Sequence, residues 1–104
     1  MSQELFAEIL TAQAVGQPRV LATVSETRGS TPRGPGAHLL LRPDGSFAGT
    51  IGGGCGEAEV WQEAMETMAD GRPRIVVVDL TEPVDGEDKI CGGVMEVVIE
   101  RVSG

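Results

Sequence analysis

The stretch Gly49-Thr50-Ile51-Gly52-Gly53-Gly54-Cys55-Gly56-Glu57 decides how the rest of this sequence is interpreted. Five of its nine residues are glycine, and a helical pattern follows it directly. Glycine tolerates positive φ and lets the backbone approach a ligand closely. A helix N-terminus presents free N–H groups that favour an anion, and at Cys55 it would favour the thiolate. The stretch predicts either an anion-binding helix entry or a turn whose glycines serve only packing.

Length and charge limit the class of protein. The 104 residues predict one domain, residues 1–104, and eight basic against sixteen acidic residues give a net charge of 8 − 16 = −8. This balance argues against general binding to nucleic acids or anionic membranes, which requires a basic surface. No apolar run has the length of a membrane span, and the first residues are too acidic and polar for a signal peptide. We therefore expect a cytoplasmic protein with two reduced cysteines.

The hydrophobic pattern predicts an α/β fold, a compact single domain in which two helices cover a mixed β-sheet. The apolar residues of the first helix are Leu5, Phe6, Ile9 and Leu10, and those of the second are Trp61, Ala64, Met65 and Met68. The continuous run from Ile75 to Val78 is typical of a strand covered on both faces. The predicted elements, in order, are a helix over Ser2–Val15, strands over Arg19–Ser25, Ala37–Leu41 and Phe47–Ile51, a helix over Glu57–Asp70, and strands over Ile75–Val78 and Val94–Glu100.

A second unusual loop, Thr27–Gly36, carries Arg28, Ser30 and Arg33 among many turn-forming residues. The planar guanidinium suits phosphate or carboxylate, and a loop that only joined two strands would need fewer residues. We favour an anion-binding role over the alternative that both arginines only pair with surface carboxylates.

A third loop, Asp88–Gly93, contains Cys91-Gly92-Gly93. All three loops lie next to predicted strand ends, and each cysteine is followed by glycine. Cysteines that served only as small apolar side chains would more often lie inside strands or helices. We therefore expect Cys55 and Cys91 to converge on one site, with Cys55 the more reactive thiol.

Several familiar sites are not supported by these residues. No Gly-Lys-Ser/Thr follows the glycine stretch, and its spacing does not fit the dinucleotide fingerprint. Two cysteines and the single His38 leave a conventional zinc set incomplete. A Cys–His nucleophile pair would have no evident third group to orient it.

The ordered set of motifs resembles the N-terminal domain of the XdhC/CoxI family, the accessory proteins of xanthine dehydrogenase and carbon monoxide dehydrogenase. The motifs are the Gly29–Ala37 loop, the Asp44-Gly45 hairpin, the glycine-rich entry through Cys55 to Glu57, and the late Cys91-Gly92-Gly93. Gly56 stands where the family usually has an apolar residue, and Asp88-Lys89-Ile90 replaces its usual Gly-Leu approach. The sequence also lacks the Rossmann-like second domain of full-length members, so we expect a stand-alone or split form of the first domain.

The resemblance implies an accessory protein that binds molybdenum cofactor (molybdopterin) and hands it to a molybdenum hydroxylase, with a sulfurase as a further partner. It implies a carrier with no catalytic residues, which assists the maturation of the cofactor or its insertion into a client such as xanthine dehydrogenase. Cys55 and Cys91 would be the sulfur ligands of the metal centre. The cofactor-binding residues would be Arg28, Ser30, Arg33, Gly52, Gly53, Gly54, Cys55, Glu57, Cys91 and Gly92.

Two other functions remain open at the level of sequence. The two cysteines could cycle as a dithiol in a small redox or thiol-dependent enzyme, or the chain could be a docking subunit that binds no cofactor. The last predicted strand presents Val98 between Glu96 and Glu100 on one face, and from this surface we predict a homodimer.

Overall fold

The order of helices and strands is the predicted one. The computed structural model describes residues 1–31, 33–52, 56–81 and 92–104. Ser2 caps the first helix by accepting a hydrogen bond from the Leu5 N–H, and Gly16 ends it in the left-handed conformation. The elements are α1 Gln3–Val15, β1 Arg19–Gly29, β2 His38–Leu41, β3 Phe47–Gly49, α2 Glu57–Asp70, β4 Arg74–Asp79 and β5 Gly93–Ser103.

The five strands form one sheet in the order β3-β2-β1-β5-β4. Every neighbouring pair is antiparallel, so the prediction of a mixed sheet is wrong. The reason lies in the connection through α2, which carries the chain from β3 at one edge to β4 at the other. These two strands run in the same direction but never become neighbours, so no parallel pair forms.

The two helices cover the sheet, as predicted, with one helix on each face. Val20, Ala22 and Val24 of β1 are buried in the core beneath α2, which contributes Val60 and Ala64. The alternating residue Leu21 points to the other face, where it packs with Leu40 of β2 and with Leu5 and Ile9 of α1. The period of two along β1 therefore divides the apolar residues between two cores.

Some residues of the predicted helical stripes lie outside these cores. Phe6 is 56% exposed and Leu10 is 50% exposed, because α1 faces the sheet with Leu5, Ile9 and Ala12. Trp61 is 36% exposed, and its indole N–H donates to the Gly45 carbonyl oxygen in the hairpin turn at 2.9 Å.

Strand β4 lies at an edge of the sheet and only one of its faces is covered, so the prediction that both faces are covered is wrong. Val76 and Val78 are buried, whereas Ile75 and Val77 are 67% and 59% exposed. Strand β5 lies between β1 and β4 in the sheet. The homodimer itself stays a prediction.

Ion pairs join both helices to one end of the sheet. Glu8 of α1 accepts from Arg42 at 2.8 Å and from Arg19 at 2.9 Å. Hydrogen bonding from Arg42, with a further contribution from Arg19, lowers the pKa of Glu8 against the opposing effect of burial. Arg74, at the start of β4, pairs with Asp70 of α2 at 2.7 Å. Among the described residues, no helix is long and apolar enough to cross a membrane.

Candidate functional site

The loop after β1 meets the loop before β5 through closely packed glycines. Strand β1 extends to Gly29, so Thr27, Arg28 and Gly29 belong to a strand and not to the predicted loop. Gly29 pairs with Gly93. A Cβ on Gly93 would lie 2.6 Å from the Arg28 carbonyl oxygen, and still closer to that of Ser30. The two backbones can approach this closely only because residue 93 has no side chain.

The entry to α2 lies at the same end of the sheet. Gly56 precedes the helix with a φ of 74°, and a Cβ there would lie 2.5 Å from Val78 Cγ1 near the end of β4. Two residues after Val78, the Leu80 N–H donates to the Gly93 carbonyl oxygen at 2.8 Å. The Gly92 N–H donates to the Leu80 carbonyl oxygen at 3.0 Å. The described parts of all three unusual loops therefore converge at one end of the sheet, which we call the loop end.

Glu57 organises the start of the glycine stretch. Its carboxylate accepts a hydrogen bond from the Thr50 hydroxyl at 2.7 Å and from the Ile51 N–H at 3.1 Å. The Gly52 N–H in turn donates to Thr50 Oγ1 at 3.2 Å. Two backbone donors of the stretch are thus engaged by the chain itself, and the first residue of α2 supplies the carboxylate that holds the loop to the helix.

Arg28 lies opposite Val94 of β5 on the face of the sheet that α2 does not cover. It lines a depression of about 280 Å³ together with Glu26, Thr27, Val77, Val94 and Glu96. Although two carboxylates border this depression, Arg28 forms no ion pair with any residue that the structure describes.

Arg33 lies in a second depression, of about 410 Å³. Gly49 and Thr50, at the beginning of the glycine stretch, line the same depression, together with His38 and the first turn of α1. Arg33 likewise forms no ion pair with a described carboxylate. The structure therefore places Arg33 beside the glycine stretch and Arg28 in a separate depression.

The structure describes Ser30 and Gly92 among the remaining predicted site residues. Ser30 is exposed just after β1, and Gly92, just before β5, has a φ of 81°. Gly53, Gly54, Cys55 and Cys91 lie outside the described residues, so the predicted convergence of the two thiols stays a prediction. Within the described ranges, no group of three His, Cys, Asp or Glu side chains could hold a metal ion.

Thr50 is the residue of this end that sequence reasoning did not single out. Its hydroxyl joins Gly52 to Glu57, and its side chain borders the Arg33 depression. The sequence did offer a signal for this role, a threonine in a glycine-rich stretch that precedes an acidic residue at a helix start. The contact between Thr50 and Glu57 resembles a capping box, but with a longer loop between the two residues.

This chain is similar to several bacterial proteins over most of its length. The chain is 36% identical to the uncharacterized protein YqeB of Escherichia coli, over 91% of this chain and 18% of that protein. It is 34% identical to the molybdenum cofactor insertion chaperone PaoD of Escherichia coli, over 84% of this chain and 27% of PaoD. It is 30% identical to a probable xanthine dehydrogenase subunit of Bacillus subtilis, over 81% and 26% of the two chains.

A solved structure and a family model agree with these similarities. A crystal structure titled as a xanthine dehydrogenase from Bacillus halodurans superposes with a TM-score of 0.77 and 33% identity, covering 93% of this chain and 30% of that chain. This chain thus spans less than a third of the length of each of these relatives. The model of the XdhC and CoxI family matches residues 12–79. The chain belongs to the XdhC and CoxI family.

Proposed function

We propose that this chain is an accessory domain that binds molybdenum cofactor at the loop end and assists its maturation or its insertion into a molybdenum hydroxylase. The observation that carries the proposal is the convergence of three glycine-containing loops at the loop end, where Arg28 and Arg33 line separate depressions and have no described carboxylate partner. In a protein of net charge −8, three of the five other described arginines, Arg19, Arg42 and Arg74, are held by acidic side chains.

The residues present fit the anionic part of the cofactor. Molybdenum cofactor carries a phosphate, which a guanidinium binds through two parallel hydrogen bonds. Arg33 is the stronger candidate of the two arginines, because it borders the glycine stretch. Its depression is lined by one carboxylate, Glu4, whereas both Glu26 and Glu96 line that of Arg28. Ser30 and Gly92 would add polar contacts where β1 meets β5. When bound, the cofactor supplies a soft metal–sulfur centre.

The assignment of the sulfur ligands rests on sequence. Thiolates are the protein ligands that suit such a soft centre, which supports Cys55 and Cys91 as the ligands. Gly53 and Gly54 would supply backbone donors. The Gly52 N–H already donates to Thr50, so Gly52 would contribute by its lack of a side chain. Glu57 would orient the loop and not contact the cofactor directly.

The names of the relatives support the choice of partners. PaoD is called a molybdenum cofactor insertion chaperone, and two other relatives carry the name xanthine dehydrogenase. We propose a cytoplasmic carrier that does not use the cofactor for turnover, a molybdenum hydroxylase as the client, and a sulfurase as a further partner.

Titration with molybdenum cofactor under anaerobic conditions tests the role of the arginines. Arg33→Ala should weaken binding by roughly 1.5–3 kcal/mol, the contribution of a charge-assisted contact, and should reduce its salt dependence. Arg28→Ala should have a smaller effect. Arg101→Ala is the matched control, because Arg101 is exposed and lies opposite Val20 in the register of β1 and β5, at the other end of the sheet. Equal affinities of the Arg33→Ala and Arg101→Ala variants would reject the anion site.

The sulfur ligands are tested separately. Cys55→Ser should abolish retention of molybdenum and pterin during anaerobic purification while the far-UV circular dichroism stays unchanged, since a hydroxyl keeps the shape but is a poor ligand for a soft metal. Full retention in this variant would remove Cys55 from the ligand set and leave the arginine test standing.

A further inference from the structure

Helix α1 covers only half of the sheet face on which it packs. Leu21 of β1 and Leu40 of β2 are buried beneath it. The same face continues across β5 and β4, where Val98 is paired with Ile75 and Glu96 with Val77. Val98 is half-buried, and Ile75 and Val77 are among the most exposed apolar residues of the described chain. The part of the face formed by Val98 and strand β4 therefore has no covering layer among the described residues.

The side of α1 that borders this bare half is also apolar. Glu8 reaches Arg19 and Arg42, so its side of the helix faces β2. The opposite side faces β5, because Gln13 donates from its side-chain amide to the Val102 carbonyl oxygen at 2.9 Å. Phe6 and Leu10 share that side with Gln13 by their helical spacing. They stand 56% and 50% exposed beside the uncovered strands.

These residues form a single feature, which we call the open trough: Phe6, Leu10, Val98, Ile75 and Val77. Four of the eight large apolar side chains that are exposed in the described chain border it. Towards the loop end, the open trough joins the Arg28 depression, which Val77 also lines. Scattered single apolar residues are ordinary on a protein surface, but a contiguous apolar patch marks an interaction site.

The charged side chains that β5 places on this face are acidic, and Arg28 of β1 lines the adjoining depression. Glu96 and Glu100 alternate with Val98 along β5 on this face. Neither forms an ion pair within the part of the chain that the structure describes, although Glu96 accepts a hydrogen bond from Ser25. A second copy of the chain would bring the same carboxylates against each other and add to a repulsion between proteins of charge −8. A basic partner would be complementary.

We propose that the open trough is a docking site for an amphipathic helix of a partner protein, whose apolar stripe is flanked by Lys or Arg. The shape supports a helix, because two strands spaced about 4.8 Å apart expose a strip about as wide as one helix, which measures roughly 10–12 Å across. Helix α1 already occupies the neighbouring strip, where it packs on Leu21 of β1, Leu40 of β2 and Val102 of β5. The docked helix would lie beside α1, with its basic residues near Glu96 and Glu100. The proposal goes beyond cofactor binding and does not depend on it.

The test uses an 18-residue peptide of Leu and Lys with a helical apolar stripe, titrated into the ¹⁵N-labelled chain. The control peptide replaces each Lys by Glu. We expect the Leu/Lys peptide to shift the amide resonances of Phe6, Leu10, Ile75, Val77 and Val98, and the Leu/Glu peptide to bind at least tenfold more weakly. The double variant Ile75→Ser/Val77→Ser should weaken binding of the first peptide at least tenfold, and Phe6→Ser severalfold.

Matched control variants lie on the other side of α1. Val15 is 64% exposed and shares the side of Glu8, so Val15→Ser should leave the affinity unchanged. Glu100→Gln should weaken binding severalfold and reduce its salt dependence, whereas Glu4→Gln should not. Phe6→Ser changes a helix side chain and leaves the sheet intact, so it tests the trough even if the double variant at β4 is less stable.

Three outcomes would overturn the proposal. The first is an equal loss of affinity in the Val15→Ser variant, and the second is equal binding of the two peptides. The third is a concentration-dependent dimer of the unmodified chain that Ile75→Ser/Val77→Ser abolishes in light scattering, because a second copy would then occupy the trough.

Discussion

The two ends of the sheet differ in their arginines, because all the described arginine–carboxylate ion pairs lie at one end. At one end, where β1 and β4 begin and β2 finishes, Arg19, Arg42 and Arg74 are held by carboxylates of α1 and α2. We call this the ion-paired end. At the loop end, Arg28 and Arg33 have no carboxylate partner among the described residues. The first group fixes the helices to the sheet, and the second leaves positive charge available to a ligand.

Several glycines at the two ends also differ in what surrounds them. At the ion-paired end, Gly16 and Gly71 end helices in the left-handed conformation, and neither is pressed against backbone. At the loop end, a Cβ on Gly49 would lie 2.5 Å from the His38 carbonyl oxygen, and Gly93 is crowded in the same way. Gly16 and Gly71 therefore serve to end helices, whereas Gly49 and Gly93 allow separate segments to approach closely.

The largest expected effect is at Gly93. Gly93→Ala should reduce the free energy of unfolding by about 3 kcal/mol, because the added methyl group meets two carbonyl oxygens that belong to the backbone and cannot rotate away. Urea denaturation measures the loss. Gly34→Ala is the matched control in the same region, since no atom lies within 4 Å of a Cβ there, and it should change stability by less than about 0.5 kcal/mol. Equal stabilities of the two variants would contradict the close packing of β1 against β5.

The next effect is at the ion-paired end. Glu8→Gln keeps the shape of the side chain but removes the charge that two guanidiniums share, so we expect a loss of about 2 kcal/mol in urea denaturation. Glu4→Gln, on an exposed residue of the same helix, should be nearly neutral. Cofactor affinity should not change in Glu8→Gln. A loss of cofactor affinity in Glu8→Gln would mean that the two ends are not independent.

The pH dependence of stability sharpens this prediction. The folded state lowers the pKa of Glu8 below its ordinary value of 4.5, chiefly through the hydrogen bond from Arg42. The stabilisation is therefore fully present above that ordinary value and is lost as the pH falls through the lower folded value. Glu8→Gln should make the acid limb of the stability profile less steep. An acid limb identical to that of the parent chain would show that Glu8 does not contribute.

The smallest effect concerns Thr50 at the loop end. Thr50→Val removes the hydroxyl that joins Gly52 to Glu57, and we expect a loss of about 1 kcal/mol with faster amide hydrogen exchange at Ile51 and Gly52. Thr11→Val, at an exposed position of α1, is the control. Unchanged exchange at both amides would show that the glycine stretch is held by other contacts.

Much of the fold follows from local patterns that the sequence displays. The Ser2 cap, the helix over Glu57–Asp70 and the alternation of β1 depend on neighbouring residues only, and all three were predicted correctly. The family could also be identified from the ordered motifs. The errors concern relations between distant segments, such as the antiparallel sheet and the exposed face of β4.

The sequence by itself determined the elements, their order and the residue types offered to a ligand, because caps, turn formers and hydrophobic period act over a few residues. Only the tertiary structure decided which arginines have carboxylate partners. Arg42 and Arg28 look alike in the sequence, yet the packing of α1 brings Glu8 to Arg42, and no described carboxylate pairs with Arg28. Strand order likewise placed Ile75 and Val77 on an uncovered edge. Such pairings depend on long-range packing, which no local pattern encodes.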